Sequence, residues 1–382
     1  MFVLQEIEQA LLFSFSMLWD VLWPLALGFL LSAIVQTVVS RQAVAGALGR
    51  FDLRGVALAC GLGAASSSCS YAAVAVARTL FRRGADFANA IIFEFASTNL
   101  VFELGLVLLV LLGWQFLAAE LAGGLLMVAI LAVVFKWTLR RRMVERARAQ
   151  AEKGLPGRME GHGDMDMAIT DGPFLRRLFS GRAFTAIAHA FFMDLSSLWQ
   201  DLALGFLIAG ALAAWVPQHF WQAFFLTDHP VLATFWGPLV GPLISMLSFV
   251  CSVGNVPLAA VLWNGGISFG GVIAFIFADL IILPIVDIHR RYYGGRMSLY
   301  LLGVSYLAMA LASLLIELAF QALGIVPAHF PVTVLESRPE WNLTTFLDLG
   351  FLLVVAVLGW RFLTTGGREM LRMMSAPAHQ HG

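Results

Sequence analysis

Charge is what this chain has least of. Its 382 residues hold 24 Lys plus Arg and 24 Asp plus Glu, 13% in all, against 60% hydrophobic residues. Soluble domains carry about a quarter charged residues, so a soluble globular fold is excluded. The zero net charge says nothing by itself, because charges in such a chain are sorted by side of a membrane. Nothing in it calls for a nucleic-acid partner. Cysteine is also scarce: Cys60, Cys69 and Cys251 sit in apolar surroundings, which excludes a disulfide framework. No P-loop, dinucleotide fingerprint or zinc-protease motif occurs, so the chain hydrolyses no nucleotide and calls for no cofactor and no resident metal. The start of the chain lacks a basic n-region and a small-residue cleavage site, so no removable signal peptide is expected.

What the chain has instead is a series of apolar stretches of about 20 residues, the length that crosses a bilayer. They are built from a repeat. Ser66–Leu100 aligned without gaps on Ser248–Ile282 matches at 12 of 35 positions, including Ser66/Ser248, Cys69/Cys251, Ser70/Ser252, Gly84/Gly266 and Phe95/Phe277. Leu25-Ala-Leu-Gly-Phe-Leu30 returns as Leu202-Ala-Leu-Gly-Phe-Leu207. Shared composition would not pair two Cys-Ser dipeptides, so duplication is the reading adopted. Two membrane-embedded halves, each with a small polar interruption, mark a secondary transporter with a site near the bilayer midplane.

The basic residues predict the topology. A first span, about Phe13–Val38, ends in a loop with Arg41, Arg50 and Arg54, and the next basic cluster is Arg78, Arg82 and Arg83. Leu53–Phe81 between them is too short for two crossings of about 20 residues, so a re-entrant hairpin is predicted there. Phe87–Leu108 then goes out and Trp114–Trp137 returns. In the second half Trp199–Val216 goes out, Val231–Trp263 forms a second hairpin entered from outside, and Ser268–Ile288 returns; Ser298–Phe320 and Thr344–Thr365 complete the set. On this reading 23 of 24 Lys/Arg residues are cytoplasmic, with only Arg338 outside.

The predicted fold is therefore an all-α polytopic inner-membrane protein, multi-pass, with a periplasmic N-terminus and a cytoplasmic C-terminus. Residues 1–137 form the first half with hairpin 53–81, and 138–182 a cytoplasmic loop whose first part extends the preceding helix. Residues 183–320 form the inverted second half with hairpin 231–263. Residues 321–382 add an external loop, one extra transmembrane helix and a tail.

The first hairpin tip reads Ser66-Ser67-Ser68-Cys69-Ser70, and the second carries Cys251, Ser252 and Asn255. Half-helices starting at Ser70 and Ser252 would aim free N–H groups and positive dipole ends at the centre, which suits an anion or a neutral polar ligand. Two cysteines add soft sulfur donors for a thiophilic centre. The bland alternative is that the serines satisfy a helix break and the cysteines only pack. Carboxylates within spans are costly and are functional candidates by default. Glu94 and Asp279 lie mid-span with no Lys or Arg at their depth, so they are candidates to load and release a proton, with Asn99 beside Glu94. Glu103, Glu120, Asp287, Glu317 and Asp348 lie nearer span ends, within reach of water. Met159, His162, Met165, Met167, His379 and His381 resemble a soft-metal tract only weakly.

Cys60-Gly-Leu-Gly-Ala-Ala-Ser-Ser-Ser-Cys-Ser-Tyr-Ala-Ala73, Phe95-Ala-Ser-Thr-Asn-Leu-Val-Phe-Glu-Leu-Gly105 and Phe277-Ala-Asp-Leu-Ile-Ile-Leu-Pro284 resemble a bacterial permease family that includes the ArsP organoarsenical efflux permeases. The resemblance spans roughly residues 10 to 320 and implies an inner-membrane efflux permease whose characterised members take trivalent organoarsenicals. The expectation is a gradient-driven exporter, not an enzyme, working in the lipid bilayer on a small thiophilic solute with protons as the coupling ion; a homo-oligomer is left open. The rival is a channel, or a membrane subunit of a larger assembly, with an uncoupled pore. A membrane enzyme using Ser or Cys as nucleophile would lack a base, since no histidine is near the tips in sequence.

Overall fold

The computed structural model describes residues 2–38, 41–67, 70–152, 180–248, 252–327 and 343–369. Among them every regular element is a helix. The first half contains α1 (Phe2–Val38), the short α2 (Arg41–Ala47), α3 (Leu53–Ser66), α4 (Ser70–Arg82), α5 (Phe87–Asn99), α6 (Phe102–Leu111), α7 (Trp114–Thr138) and α8 (Arg141–Ala151). The second contains α9 (Gly181–Trp215), the short α10 (Gln218–Phe224), α11 (Pro230–Ser248), α12 (Ser252–Asn264), α13 (Phe269–Phe277), the 3₁₀ turn η1 (Ala278–Ile281), α14 (Leu283–Tyr293) and α15 (Gly295–Leu323), before the last helix, α16 (Leu343–Thr364).

Several element bounds recur at a fixed shift. α4 starts at Ser70 and α12 at Ser252, a shift of 252 − 70 = 182, and the same shift carries Arg82 onto Asn264. It also carries α5, Phe87–Asn99, onto Phe269–Ile281, and the end of α6, Leu111, onto Tyr293. The punctuation repeats with the elements. Gly84 and Gly266 both take positive φ, +108° and +96°. Each closes its helix with a bond from the following N–H back to the fifth residue before it, Ala85 to Leu80 at 3.0 Å and Ile267 to Leu262 at 3.2 Å. A side chain at either glycine would strain that left-handed turn. Asp86 and Ser268 then cap the next helix through their side chains.

Two expected continuous spans are broken. Phe87–Leu108 divides at Leu100 and Val101, where Val101 is extended. The cause is local: Ser97, Thr98 and Asn99 turn their side chains back onto the carbonyls of Glu94 and Phe95, competing with the helical ladder. Ser268–Ile288 breaks at the equivalent place through η1 and the extended Ile282, with a 41° bend between the two pieces. Pro284 starts α14 there, where its missing N–H costs nothing. α8 is likewise a separate helix rather than an extension of α7, because Leu139 and Arg140 are extended.

Among the described residues five segments are long and apolar enough to cross a membrane, α5 and α6 taken together as Phe87–Leu111, then α7, α11, α15 and α16, and six if the bent pair counts as one span. The protein is a membrane protein. α3, at 14 residues, reaches only about 21 Å of a roughly 30 Å hydrocarbon core. α11, its counterpart, has 19 residues and is long enough by itself, so the arms of the second pair are unequal.

α1 lies along α9, α3 along α5, and α11 along α13. Close approach depends on glycine: a Cβ at Gly63 would lie 2.6 Å from the Phe93 carbonyl oxygen, and one at Gly241 would collide with the Gly271 carbonyl.

Candidate functional site

Three helix ends converge on one buried carboxylate. Asp279 opens at the first break of the second half, and its Oδ2 accepts a 2.7 Å hydrogen bond from Oγ of Ser70, the first residue of α4. Its Oδ1 accepts a longer one, 3.5 Å, from Nδ2 of Asn99, the last residue of α5. Asn99 also donates to the Thr98 hydroxyl at 3.0 Å and the Phe95 carbonyl at 3.2 Å. Asp279, Ser70 and Asn99 all have zero exposure. The carboxylate thus lies beside the first residue of α4, the end where the helix dipole favours negative charge. The place expected for a solute anion is taken, in this conformation, by the protein's own acid.

Glu94 lies one helical turn before Asn99 on α5, and its expected isolation is overturned. Its Oε1 lies 2.8 Å from Nε2 of His289 on α14, with the two side chains 0% and 5% exposed. Sequence reading missed this histidine because it is 195 residues away and sits among Asp287, Arg290 and Arg291, which read as a polar loop. The signal was there: Ile285, His289 and Tyr292 recur at helical spacing, and that face of α14 is the buried one. Asp287 pairs with Arg290 and Arg291 on the opposite, exposed face.

Around this pair several polar atoms have no hydrogen-bond partner among the described residues: Glu94 Oε2, Asn99 Oδ1 and the Tyr293 hydroxyl. Tyr293 stacks on His289 with centroids 6.0 Å apart, and the Arg78 guanidinium lies 4.3 Å over the Tyr292 ring. A string of buried polar groups, Asp279 with Asn99 and Glu94 with His289, is therefore carried along α5, with no hydrogen bond between the two pairs among the described residues. Unfilled hydrogen-bonding capacity beside two carboxylates is what a site that accepts protons or a polar solute requires.

The other candidates fall elsewhere. Ser66 donates to the Gly63 carbonyl at 2.9 Å, a helix-end bond. Ser67 carries φ +27°, and its carbonyl accepts from Ser32 of α1 at 2.7 Å. Ser68, Cys69 and Cys251 lie outside the described residues, and of Ser252 only the backbone, at the start of α12, is described. Asn255 ties together the arms of its own pair, donating to Ser245 at 3.2 Å and accepting from Ser248 at 3.4 Å. Cys60 is half-buried and unpaired.

Four of the acids expected near water are buried: Glu103, Glu120, Glu317 and Asp348. Glu317 closes the start of α13, accepting from the Ser268 hydroxyl at 2.7 Å and the Gly270 N–H at 3.0 Å. Asp348 of α16 accepts from the backbone N–H of Trp23 at 2.9 Å, next to Pro24 in α1. Neither oxygen of Glu120 has a partner among the described residues. Only Asp287 is exposed as expected. Outside the spans, Asp86 at the start of α5 has its carboxyl pushed up from the ordinary 3.8 by burial, against the pull of the Ala88 and Asn89 N–H groups and Arg148.

The model of the ArsP_1 family, described as predicted permease, matches residues 6–318. A Mycobacterium tuberculosis protein that carries a permease name, Rv2963, is 56% identical over 338 residues, 88% of this chain and 83% of that protein. No solved structure matches significantly. With most of its length covered by that family, and with broken apolar helices meeting at a buried acid, the chain belongs to the ArsP_1 family of predicted permeases.

Proposed function

We propose that the protein is an inner-membrane secondary permease exporting a small thiophilic solute, such as a trivalent organoarsenical, in exchange for protons. The observation that carries this reading is Asp279, held by Ser70 and Asn99 at the meeting of helix ends from both halves. An ionised Asp279 accepts both hydrogen bonds and occupies the positive end of α4. A protonated Asp279 gives up that claim, and the Ser70 hydroxyl becomes free for a solute. Proton and solute then compete for one set of donors, which is the requirement for exchange transport. Glu94 and His289 carry the proton between Asp279 and the Arg290/Arg291 end of α14.

In this reading the halves are inverted in the membrane, with α3–α4 and α11–α12 as re-entrant pairs and the N-terminus periplasmic. Helix length supports it for the first pair, since α3 is too short to cross. Cys69 and Cys251 supply sulfur at the tips, and the choice of arsenical rests on the resemblance of the hairpin motifs.

Proteoliposomes loaded with a trivalent methylarsenical, with and without an imposed pH gradient, test the reading. Gradient-driven flux that Asp279→Asn uncouples is expected. Flux through the wild type that ignores the gradient would establish the uncoupled pore instead.

A further inference from the structure

An open surface cleft of about 400 Å³ lies between the start of α9 and the end of α16, lined by Gly181, Arg182, Thr185, Ala186, His189 and Arg361. Its lining contains no acid, and neither arginine has a carboxylate partner among the described residues. Arg361 is held in place: its Nε donates to the Thr185 hydroxyl at 3.0 Å, and its guanidinium lies 6.0 Å from the Phe184 ring. That leaves the two terminal nitrogens of the fork for a ligand. His189 is fixed against Thr365 at 2.8 Å and packs edge-on to Phe362. Gly181 adds no side chain, and a Cβ there would meet open space.

The surroundings indicate what fills it. Arg361 lies in the last turn of α16, so the cleft sits where an apolar span leaves the hydrocarbon. Only 17% of that span is buried in protein, and Val357, one turn before Arg361 on the same face, is half exposed. Phe184, below the guanidinium, is also exposed. A ligand here has an anionic group between two arginines and an apolar flank running into the bilayer beside it. We infer that this cleft is a phosphate site that holds the headgroup of an anionic phospholipid, with the acyl chains lying along α16. Two cationic side chains at a membrane boundary suit a phosphodiester through charge-assisted hydrogen bonds, and the apolar flank distinguishes a lipid from a free anion.

The test uses the purified full chain and native mass spectrometry, with phosphatidylglycerol titrated against wild type and the Arg182→Gln/Arg361→Gln variant. Loss of roughly 25-fold in retention is expected, about fivefold for each arginine. Arg182→Gln alone, at an exposed side chain, shows its own fivefold loss and keeps the test valid if the double variant does not fold. A parallel arm adds inorganic phosphate in excess. Lipid that stays bound confirms the headgroup as the source, whereas lipid displaced only when both arginines are present makes this a phosphate site filled from solution. Equal retention by wild type and both variants, with no arginine-dependent effect of phosphate, overturns the inference.

Discussion

The contact between Glu94 and His289 offers the sharpest test of how the buried string is held. Each side chain is nearly or wholly sealed from water, and the 2.8 Å contact is the hydrogen bond each makes across the two halves. Replacing His289 by Leu leaves the carboxyl buried with neither oxygen bonded, since Oε2 has no partner even now. Stranding a buried polar group costs about 1–3 kcal/mol, and breaking a buried pair that carries charge about 3–5. Each single change, His289→Leu or Glu94→Leu, should therefore cost about 3 kcal/mol. Replacing both partners by apolar groups of similar size removes the stranded atoms along with the bond and is nearly neutral. The double variant should then lose at most about 1 kcal/mol, a coupling of about 5 kcal/mol between the sites. Unfolding in mixed micelles with increasing SDS, followed by circular dichroism, measures all four proteins. If the double variant costs the sum of the single ones, about 6 kcal/mol, the two side chains do not depend on each other and the reasoning fails.

Asp279→Asn keeps an acceptor for Ser70 while removing titration, so proteoliposome flux should persist but lose its response to a pH gradient; an unchanged response would remove Asp279 from coupling. Gly63→Ala places a methyl against the Phe93 carbonyl and should lower stability by about 1–3 kcal/mol in the same unfolding assay. Deleting 141–151 should destabilise the protein, because buried Arg78 donates to the Ala151 carbonyl at 2.8 Å and Arg148 to the Phe81 carbonyl at 3.0 Å, whereas deleting 154–178 should leave both the melting midpoint and transport unchanged. Asp86→Asn should raise the melting midpoint slightly at pH 7: burial lifts the folded-state carboxyl above its ordinary 3.8, so the native protein disfavours the charge there, and asparagine keeps the cap. Its advantage should vanish as pH falls below 3.8, where the aspartate is neutral folded or unfolded; an advantage that grows on acidification would contradict the assignment.

The helical class and the register of the repeat were legible because apolar length and the Cys-Ser and Gly-Phe pairings are local patterns. Asp279 stood out as an acid within an apolar run, and it is buried, but its partners Ser70 and Asn99 could not be read from its neighbours in sequence. The breaks at Leu100 and Ile282 were harder to see. Hydropathy does not register a helix that stops and restarts within an apolar run, although Ser97-Thr-Asn99 and Pro284 carried the cause. Depth was misjudged for Glu120, Glu317 and Asp348 because position along a span says nothing about which face meets protein. The helical spacing of Ile285, His289 and Tyr292 marks His289 as facing inward, but which acid it meets needed the fold itself, since that partner is 195 residues distant.

The bond from Trp23 to Asp348 has a consequence for biosynthesis. Beside Pro24, which interrupts the regular ladder of α1, the Trp23 N–H donates to a carboxylate that belongs to α16. Trp19 makes a second link, donating from its indole to Thr345 at 3.3 Å. Two donors of α1 are therefore met by α16, more than 300 residues later in the chain, and during translation they wait for acceptors that have yet to be made. α16 lies beyond residue 318, where the family match ends. A chain cut short before residue 343 would keep the matched residues and still present quality-control proteases with those two donors unmet.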